Sequence, residues 1–270
     1  TNLGRVLGRL RPADAFVGTK VRIPAADFGR IAAAVTESMD GSLRRLAMDH
    51  VDIFHLHNAI TVAGGGESLS VRQVLDEVVP AFSALRATGK IRFLGITAVG
   101  DTAALHQVID SRAFDSAQVS YNMLNPSAAT AVPAGYPAQD YGRLFAHTQA
   151  AGVGVVGIRV LAGGALSGSA ERHPIASPPP EPIGSALRYD ADLERARRLA
   201  PLVNEGFAAS LPEAATRFAI SHPAMGTILV GMATVDEFES ALAAVQKGPL
   251  PQAALDRLAA LTAGFAGEAR

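Results

Sequence analysis

The sequence predicts an α/β fold built from parallel βαβ units. Short β-rich apolar runs alternate with amphipathic segments at intervals of about thirty residues, which is the spacing that parallel strands with helical crossovers need. No G-x-G-x-x-G motif follows the first run, and this weakens the case for a doubly wound nucleotide-binding sheet. The strands form either such an open sheet or strands three to eight of a (β/α)8 barrel, if two units precede Thr1. The six predicted strands end near Lys20, His57, Ala98, Tyr121, Arg159 and Val230.

Composition excludes several classes of protein. The 270 residues suit one large α/β barrel or two ordinary domains, and no uninterrupted apolar run is long enough to span a membrane. A net charge of −1 with both signs dispersed predicts no nucleic-acid or anionic-lipid partner. Cysteine is absent, so disulfides and thiolate metal sites are excluded, and no metal is expected. The start lacks the pattern of a secretory signal, which leads us to expect a cytoplasmic protein.

Helices fill the segments between the first strands. Apolar residues recur at every third or fourth position from Ile31, as in an amphipathic helix. A longer apolar face begins at Val71, and Pro80 inside it predicts a kink or break. The polar stretch 58–70, with three consecutive glycines, is predicted to be a mobile loop. The predicted elements of this half are a short helix over 2–10, strands over 15–20 and 51–57, and helices over 31–46 and 71–85.

The alternation repeats in the second half. Ser210 to Glu213 forms a capping box with proline in the first turn, and Thr234 to Glu237 opens another helix by the same box. The prolines between 178 and 182 exclude a helix or a central strand there. The predicted strands are 91–98, 116–121, 152–160 and 227–230, and the predicted helices are 102–110, 140–150, 190–207, two that begin at 210 and 234, and 252–264.

Six motifs in order resemble those of the aldo-keto reductase family. Gly89–Thr97 is similar to the GKIR motif of the family's fifth barrel strand, and Gln118–Asn122 to the Q-x-x-Y-N motif of the sixth. The other four matches are Thr19-Lys20 with the third strand, Val51–His57 with the fourth, Gly152–Gly168 with the seventh and Ser221–Gly231 with the eighth. The resemblance implies a (β/α)8 TIM barrel of aldo-keto reductase type. Strands three to eight would lie in residues 1–270, as a single, N-terminally incomplete barrel domain.

The resemblance implies an NAD(P)-dependent oxidoreductase that interconverts an alcohol and a carbonyl (aldehyde, ketone or sugar) by hydride transfer. A carbonyl that receives hydride gains oxyanion character, so its site needs a proton donor and a polarising group. In the family the donor is a tyrosine beside a lysine–aspartate pair, and a histidine orients the carbonyl oxygen. Lys20 and His57 match that lysine and histidine. Without the motifs, Lys20 would be read as a solvated loop residue. We interpret His55 as a buried core histidine.

The family's aspartate and tyrosine lie on and just after its second strand, upstream of the position of Thr1. Tyr121, Tyr136, Tyr141 and Tyr189 all correspond to other positions. Either the protein has residues before Thr1, or it is inactive as a reductase. We favour the first, or a partner that covers the gap, because a six-strand partial barrel exposes sheet edges and an apolar interior.

The resemblance also assigns residues to the cofactor. Gln118 matches the residue that holds the nicotinamide carboxamide, and Thr97 replaces the usual serine. Arg159 either binds the pyrophosphate or pairs with an acidic neighbour. A carboxylate at Glu237, where the family binds a 2′-phosphate, favours NAD over NADP, although Glu237 equally completes a capping box with Thr234. The whole predicted cofactor set is Thr97, Gln118, Arg159, Leu161, Gly163, Gly231 and Glu237.

Two other functions are open at this point. A non-catalytic nucleotide-binding or scaffold relative would lack the aspartate and the tyrosine. A Schiff-base aldolase would use Lys20 as its nucleophile, but the motifs around Gln118 and Gly231 argue against it. For the oxidoreductase, the partner is a small-molecule carbonyl or alcohol. Its specificity would lie in the loops 58–70, 122–139 and 165–188.

Overall fold

The computed structural model describes residues 2–12 and 14–270. Its strands are β1 (Gly18–Val21), β2 (Val51–Leu56), β3 (Ile60–Thr61), β4 (Leu69–Ser70), β5 (Ile91–Thr97), β6 (Ser116–Ser120), β7 (Gly154–Ile158) and β8 (Met225–Ile228). Its helices are α1 (Asn2–Leu10), α2 (Ile31–Leu46), α3 (Val71–Gln73), α4 (Val79–Ala87), α5 (Thr102–Asp110), α6 (Leu144–Ala151), α7 (Tyr189–Arg197), α8 (Pro201–Asn204), α9 (Leu211–Ala219), α10 (Val235–Gln246) and α11 (Gln252–Ala263). All six predicted strands are present.

Proline divides two helices that the apolar pattern made continuous. The helix predicted over 71–85 consists of α3, a π-helical turn over Val74–Val78, and α4, with Pro80 as the second residue of α4. Proline has no N–H to donate to the carbonyl four residues earlier, so the regular ladder changes at this point. Likewise, the helix predicted over 190–207 is split into α7 and α8, and Pro201 begins α8.

The stretch 58–70, predicted as a mobile loop, contains β3 and β4, which pair in parallel. Its first residue, Asn58, makes two side-chain hydrogen bonds to Ile23 and one within the stretch. Asn58 Oδ1 accepts from the Ile23 N–H and Nδ2 donates to the Ile23 carbonyl, both at 2.8 Å, and Nδ2 also donates to the Glu67 carbonyl at 3.1 Å. Gly100 packs against β3 so closely that a Cβ there would lie 2.0 Å from the Ile60 oxygen. Side-chain bonds and a backbone contact therefore order a segment that apolar periodicity does not mark.

The chain divides into two compact units. Unit 1 comprises Thr1–Gln118 with His147–Gly154, and unit 2 comprises Val119–Ala146 with Val155–Arg270. In unit 1, β1, β2, β5 and the first three residues of β6 run parallel in that order. Phe54 of β2 and Phe82 of α4 are fully buried, with ring centroids 4.8 Å apart. The apolar faces of α2 and α4 thus form the core on this sheet. The prediction of a single domain stays a prediction.

Unit 2 contains the parallel pair β7 and β8, with a register shift between Val155 and Val156. Its aromatic core is centred on Tyr121, whose ring lies 5.0 Å from that of Phe145 and 4.8 Å from that of Phe218. The buried Arg195 of α7 donates to Glu268 at 3.0 Å, which fastens the C-terminal segment within this unit. Over residues 2–12 and 14–270, no helix is long and apolar enough to cross a membrane.

Candidate active site

Strand register places the candidate residues of unit 1 in rows on one face of the sheet. Lys20 pairs with His55, His55 pairs with Gly95, and Gly95 pairs with Ser116. Directly paired residues of parallel strands project from the same face. We name Lys20, His55, Gly95 and Ser116 the lower row.

The upper row lies two residues further along each strand and contains His57, Thr97 and Gln118. Thr97 pairs directly with Gln118, and the backbone of His57 continues the β2 ladder, because its N–H donates to the Val21 carbonyl at 2.8 Å. Residues two apart on a strand share a face, so the upper row stands beside the lower row toward the carboxyl ends of the strands. In α/β barrels this is the end that carries catalytic residues.

His57 is half-buried and is held by a side chain of the same row. Its Nδ1 lies 3.1 Å from the Oγ1 of the buried Thr97. Burial lowers the pKa of His57, and the cations of Lys20 and Arg22 lower it further, so the ring is neutral at pH 7. In the tautomer of His57 that has its proton on Nε2, Nδ1 accepts from the Thr97 hydroxyl and Nε2 can donate to an oxyanion.

Lys20 is exposed at the end of β1, and its ammonium is close to both histidines of β2. Its charge contributes to the lowered pKa of His55 and to that of His57. The structure therefore brings together Lys20 and His57, the two residues predicted to be catalytic. Their catalytic role stays a prediction.

His55 is buried, as the sequence predicted, with 3% of its surface exposed. Its Nε2 lies 3.2 Å from Ser116 Oγ, so the ring reaches from β2 across β5 to β6. Gly95 makes room for this, because a Cβ there would lie 2.3 Å from His55 Cδ2. Burial lowers the pKa of His55 to about 4, and the Lys20 ammonium acts in the same direction.

Gln118 has a buried acceptor that the described part of the chain does not satisfy. The residue is 4% exposed, its carbonyl accepts from the Ala98 N–H at 2.8 Å, and its side-chain Oε1 has no hydrogen-bond partner. A buried polar atom without a partner costs roughly 1–3 kcal/mol, and in a native fold such an atom calls for an explanation. A ligand with an N–H group would satisfy it, and a carboxamide is such a ligand.

In unit 2, Arg159 follows β7 in the left-handed region, with φ of 57°. Its carbonyl accepts from Asn122 Nδ2 at 2.8 Å, and a Cβ on Gly163 would lie 3.3 Å from its Nη1. Burial lowers the pKa of Arg159. Within the described residues, no carboxylate lies within ion-pair distance of its guanidinium. This leaves the predicted pairing with an acidic neighbour without support and Arg159 available to an anion.

The remaining cofactor candidates lie on two loops of unit 2. Leu161 and Gly163 belong to the turn after β7, where the Leu161 carbonyl accepts from the Gly164 N–H at 2.8 Å. Gly231 is exposed between β8 and α10. Glu237 N–H donates to Thr234 Oγ1 at 3.1 Å, and its carboxylate accepts from the Ala233 N–H. Glu237 therefore caps the start of α10, while its role toward a cofactor stays a prediction.

Sequence reasoning missed three residues around these candidates. Ser116 and Arg22 lie two residues from Gln118 and Lys20, so the strand period of two was the signal that could have found them. Asn122 was read only as part of a motif, and its hydrogen bond to Arg159 came from the structure.

The four tyrosines lie in unit 2, and three of them have surroundings that disfavour proton donation. Burial raises the pKa of Tyr121 and of Tyr136, and it raises that of Tyr141 to about 12. A general acid that works near neutral pH needs the opposite change. Within the described residues, no three His, Asp or Glu side chains are grouped to hold a metal ion.

Known proteins resemble this chain over most of its length. A sequence model of the Aldo/keto reductase family matches residues 1–263. The chain is 29% identical to the L-galactose dehydrogenase of Arabidopsis thaliana over 237 residues, which are 86% of this chain and 64% of that protein.

Solved structures of an aldo-keto reductase from Bacillus halodurans, in holo and apo forms, superpose with TM-scores of 0.67 and 0.66 at 22% identity. They cover 96% of this chain, which in turn covers 75% of theirs. This likeness confirms the predicted fold class, the (β/α) barrel type. Because the family model spans nearly every residue, the chain belongs to the aldo/keto reductase family.

Proposed function

We propose that the chain is part of an NAD(P)-dependent oxidoreductase that interconverts a small-molecule carbonyl and the corresponding alcohol. Family membership supports the reaction class. The observation that carries the proposal is the unsatisfied Oε1 of Gln118, in the same row as Thr97 and His57. We further propose that the protein has a single barrel domain and a cytoplasmic location, both of which are predicted from the sequence.

The nicotinamide cofactor fits the residues of unit 1. Gln118 Oε1 can accept a hydrogen bond from one N–H of a carboxamide. This bond would remove the free-energy cost of burying Oε1 without a partner. The Thr97 hydroxyl holds His57 Nδ1 beside it. The bound cofactor supplies or accepts the hydride. The contribution of Gln118 and Thr97 is to bind and orient at the carboxyl ends of β5 and β6.

Lys20 and His57 would act on the oxygen of the substrate. A neutral His57 with its proton on Nε2 donates a hydrogen bond to that oxygen, and the Lys20 ammonium stabilises the charge that develops on it. Both groups are fixed to strands, so little reorganisation is needed during reaction. Neither row contains a tyrosine, so the proposed reaction needs a further acid to supply the proton.

In unit 2, we assign the cofactor's phosphates to Arg159 and the turn of Leu161 and Gly163. Support comes from the absence of a carboxylate within ion-pair distance of the Arg159 guanidinium in the described residues, and from burial, which makes that charge costly unless an anion compensates it. We also propose a modest preference for NAD over NADP, which the carboxylate of Glu237 near Gly231 supports by repelling a 2′-phosphate.

The test of the reaction class is cofactor binding to the complete gene product. NADH and NADPH fluorescence is titrated with native protein and with the variant Gln118→Leu. Native protein is expected to bind, and Gln118→Leu to bind about tenfold more weakly, in line with the loss of a buried hydrogen bond. Gln107→Leu, an exposed glutamine of α5 in the same unit, is the matched control and is expected to bind as the native protein does. If native protein binds neither NADH nor NADPH, the proposed NAD(P)-dependent function is wrong.

Turnover is then measured with aldehydes, ketones and sugars, including L-galactose because a relative is named for it. The cofactor preference is tested by the ratio of the NADPH and NADH dissociation constants. Glu237→Gln is expected to lower that ratio by a few-fold through loss of like-charge repulsion. An unchanged ratio would mean that Glu237 only caps α10.

A non-catalytic nucleotide-binding relative is the second candidate, and the burial of Tyr121, Tyr136 and Tyr141, which raises the pKa of each, favours it. Such a protein binds NADH with Gln118 but reduces no carbonyl at any pH. Binding without turnover across the substrate panel therefore selects it.

A further inference from the structure

His55 is a buried titratable group for which the proposed reaction has no role. It lies directly beneath His57 on β2 and directly opposite Lys20 on β1. A histidine that served only to fill the core could be any apolar residue of similar volume. The surroundings of this ring are instead specific, because they include a hydrogen-bonding hydroxyl, a glycine and a lysine.

The ring is fixed across the sheet. Its Nε2 lies 3.2 Å from Ser116 Oγ, and Ser116 is itself 6% exposed, so these two atoms satisfy each other away from water. The other ring nitrogen of His55, Nδ1, is buried and has no hydrogen-bond partner among the described residues. The path between them passes over Gly95, where a Cβ would lie 2.7 Å from His55 Nε2 and from Ser116 Oγ. Three adjacent strands thus each contribute one part of the arrangement, and any side chain on Gly95 would displace it.

The ring also limits where Lys20 can lie. Paired residues of neighbouring strands are about 5 Å apart, so the first methylene groups of Lys20 lie beside the His55 ring. The space of the lower row toward β6 is filled by that ring. A long lysine side chain is therefore directed toward the open, carboxyl end of the strands, where His57 lies. The lowered pKa values of both histidines agree with an ammonium close to each.

We propose that His55 is a positioning residue. Its ring, held across Gly95 by Ser116, packs against the methylene groups of Lys20 and directs the Lys20 ammonium toward His57. It touches no reacting atom in this proposal. Its effect on turnover rests on the proposed oxidoreductase function, but its effect on Lys20 does not. A neutral ring suits this position, because a second cation beside Lys20 would repel its ammonium.

The effect on Lys20 can be measured without activity, because the chain has only three lysines. Lys90 is ion-paired with Asp40 and Lys247 with Glu213, so both serve as internal references. The lysines of the complete gene product are dimethylated with isotope-labelled formaldehyde. The methyl signal of Lys20 is assigned by NMR from its loss in Lys20→Arg, and the signals of Lys90 and Lys247 are assigned in the same way with Lys90→Arg and Lys247→Arg. The readout is the position of the Lys20 signal in each variant.

Four variants separate positioning from mere packing. His55→Leu keeps volume but loses the bond to Ser116, and Ser116→Ala loses the bond with little change of shape. His55→Gln places an amide near the position of Nε2 and can keep the bond. The Lys20 signal is expected to move in His55→Leu, in Ser116→Ala and in Gly95→Ala, to stay near the native position in His55→Gln, and the Lys90 and Lys247 signals are expected to stay throughout.

The role of Gly95 gives a second, independent readout. Gly95→Ala displaces the ring only if the ring is there, so the same substitution in a His55→Ala background should cost much less stability in urea unfolding. Equal cost in both backgrounds would contradict the close approach. The double variant also covers the case in which Gly95→Ala alone does not fold.

Turnover completes the test. His55→Leu is expected to lower kcat about tenfold to a hundredfold, as misplaced catalytic groups do, with the KM for the cofactor unchanged and with rescue in His55→Gln. A Lys20 signal that stays in place in His55→Leu and in Ser116→Ala would overturn the inference. If native protein binds no nucleotide, the proposed function fails, and the lysine signals still decide the inference.

Discussion

Unit 1 and unit 2 hold their candidate residues in different ways. In unit 1, Lys20, His57, Thr97 and Gln118 lie at or next to the ends of paired strands, and register alone brings them into rows. In unit 2, Arg159 and Gly163 lie on a turn with left-handed backbone, stabilised by a side-chain amide from Asn122. Strand-borne sites depend on pairing, and loop-borne sites depend on a few special backbone positions.

The largest expected effect is on the reaction and belongs to unit 1. Lys20→Met removes the cation beside His57 while keeping the length of the side chain. In the complete gene product we expect kcat to fall about a hundredfold to a thousandfold, because oxyanion stabilisation is lost. Lys90→Met, which removes the lysine paired with Asp40, should leave kcat unchanged. Nucleotide binding should be retained in both, and a Lys20→Met enzyme with native kcat would remove Lys20 from the site.

The next effect compares glycines of the two units. Gly100→Ala in unit 1 combines φ of +120° with a backbone oxygen 2.0 Å from the new Cβ, and should lower the free energy of unfolding by about 3 kcal/mol or more. Gly163→Ala in unit 2 has φ of +69° and its nearest atom at 3.0 Å, so about 1 kcal/mol is expected. Gly8→Ala, a helical glycine with nothing within 4 Å, should be neutral or slightly stabilising. Urea unfolding measures all three, and equal losses at Gly100 and Gly163 would contradict the comparison.

A pH effect should arise in unit 1 from His55. Its pKa is about 4 in the folded chain and near 6.5 when unfolded, so between these values the unfolded chain binds more protons. Stability is therefore full above about pH 6.5 and is lost as the pH falls toward 4, by up to about 3 kcal/mol. Urea unfolding at pH 7.5 and 5 should show the loss in native protein. His55→Gln should reduce this loss of unfolding free energy, whereas His50→Gln, at an exposed histidine, should leave it unchanged. The same loss in His55→Gln as in native protein would contradict the assignment of the pH effect to His55.

The same contrast explains how much the sequence could predict. The strands and most helices follow from apolar periodicity, and α5 and α9 begin where composition and capping place them. The upper row follows from period two once the strand ends are known. The Ser116 bond and the ordering of residues 58–70 do not, because they depend on contacts between residues tens of positions apart. The left-handed φ of Arg159, a non-glycine residue, has no local sequence signal at all.

The smallest expected effect tests the loop-borne part of the comparison. Arg159→Gln keeps a polar side chain of similar reach but removes the charge beside Gly163, so the dissociation constant for NADH should rise about tenfold while kcat changes little. Arg159→Lys restores a point charge without the planar fork and should recover only part of the affinity.

Arg143→Gln is the matched control, because the backbone of Arg143 is also left-handed, with φ of 58°, and its side chain lies exposed in the same unit. Titration at two salt concentrations should show a weaker salt dependence in Arg159→Gln than in native protein. Equal affinity in Arg159→Gln and Arg143→Gln would contradict the assignment of the phosphates to the Arg159 charge, and backbone N–H groups would then be left as the phosphate-binding groups of unit 2.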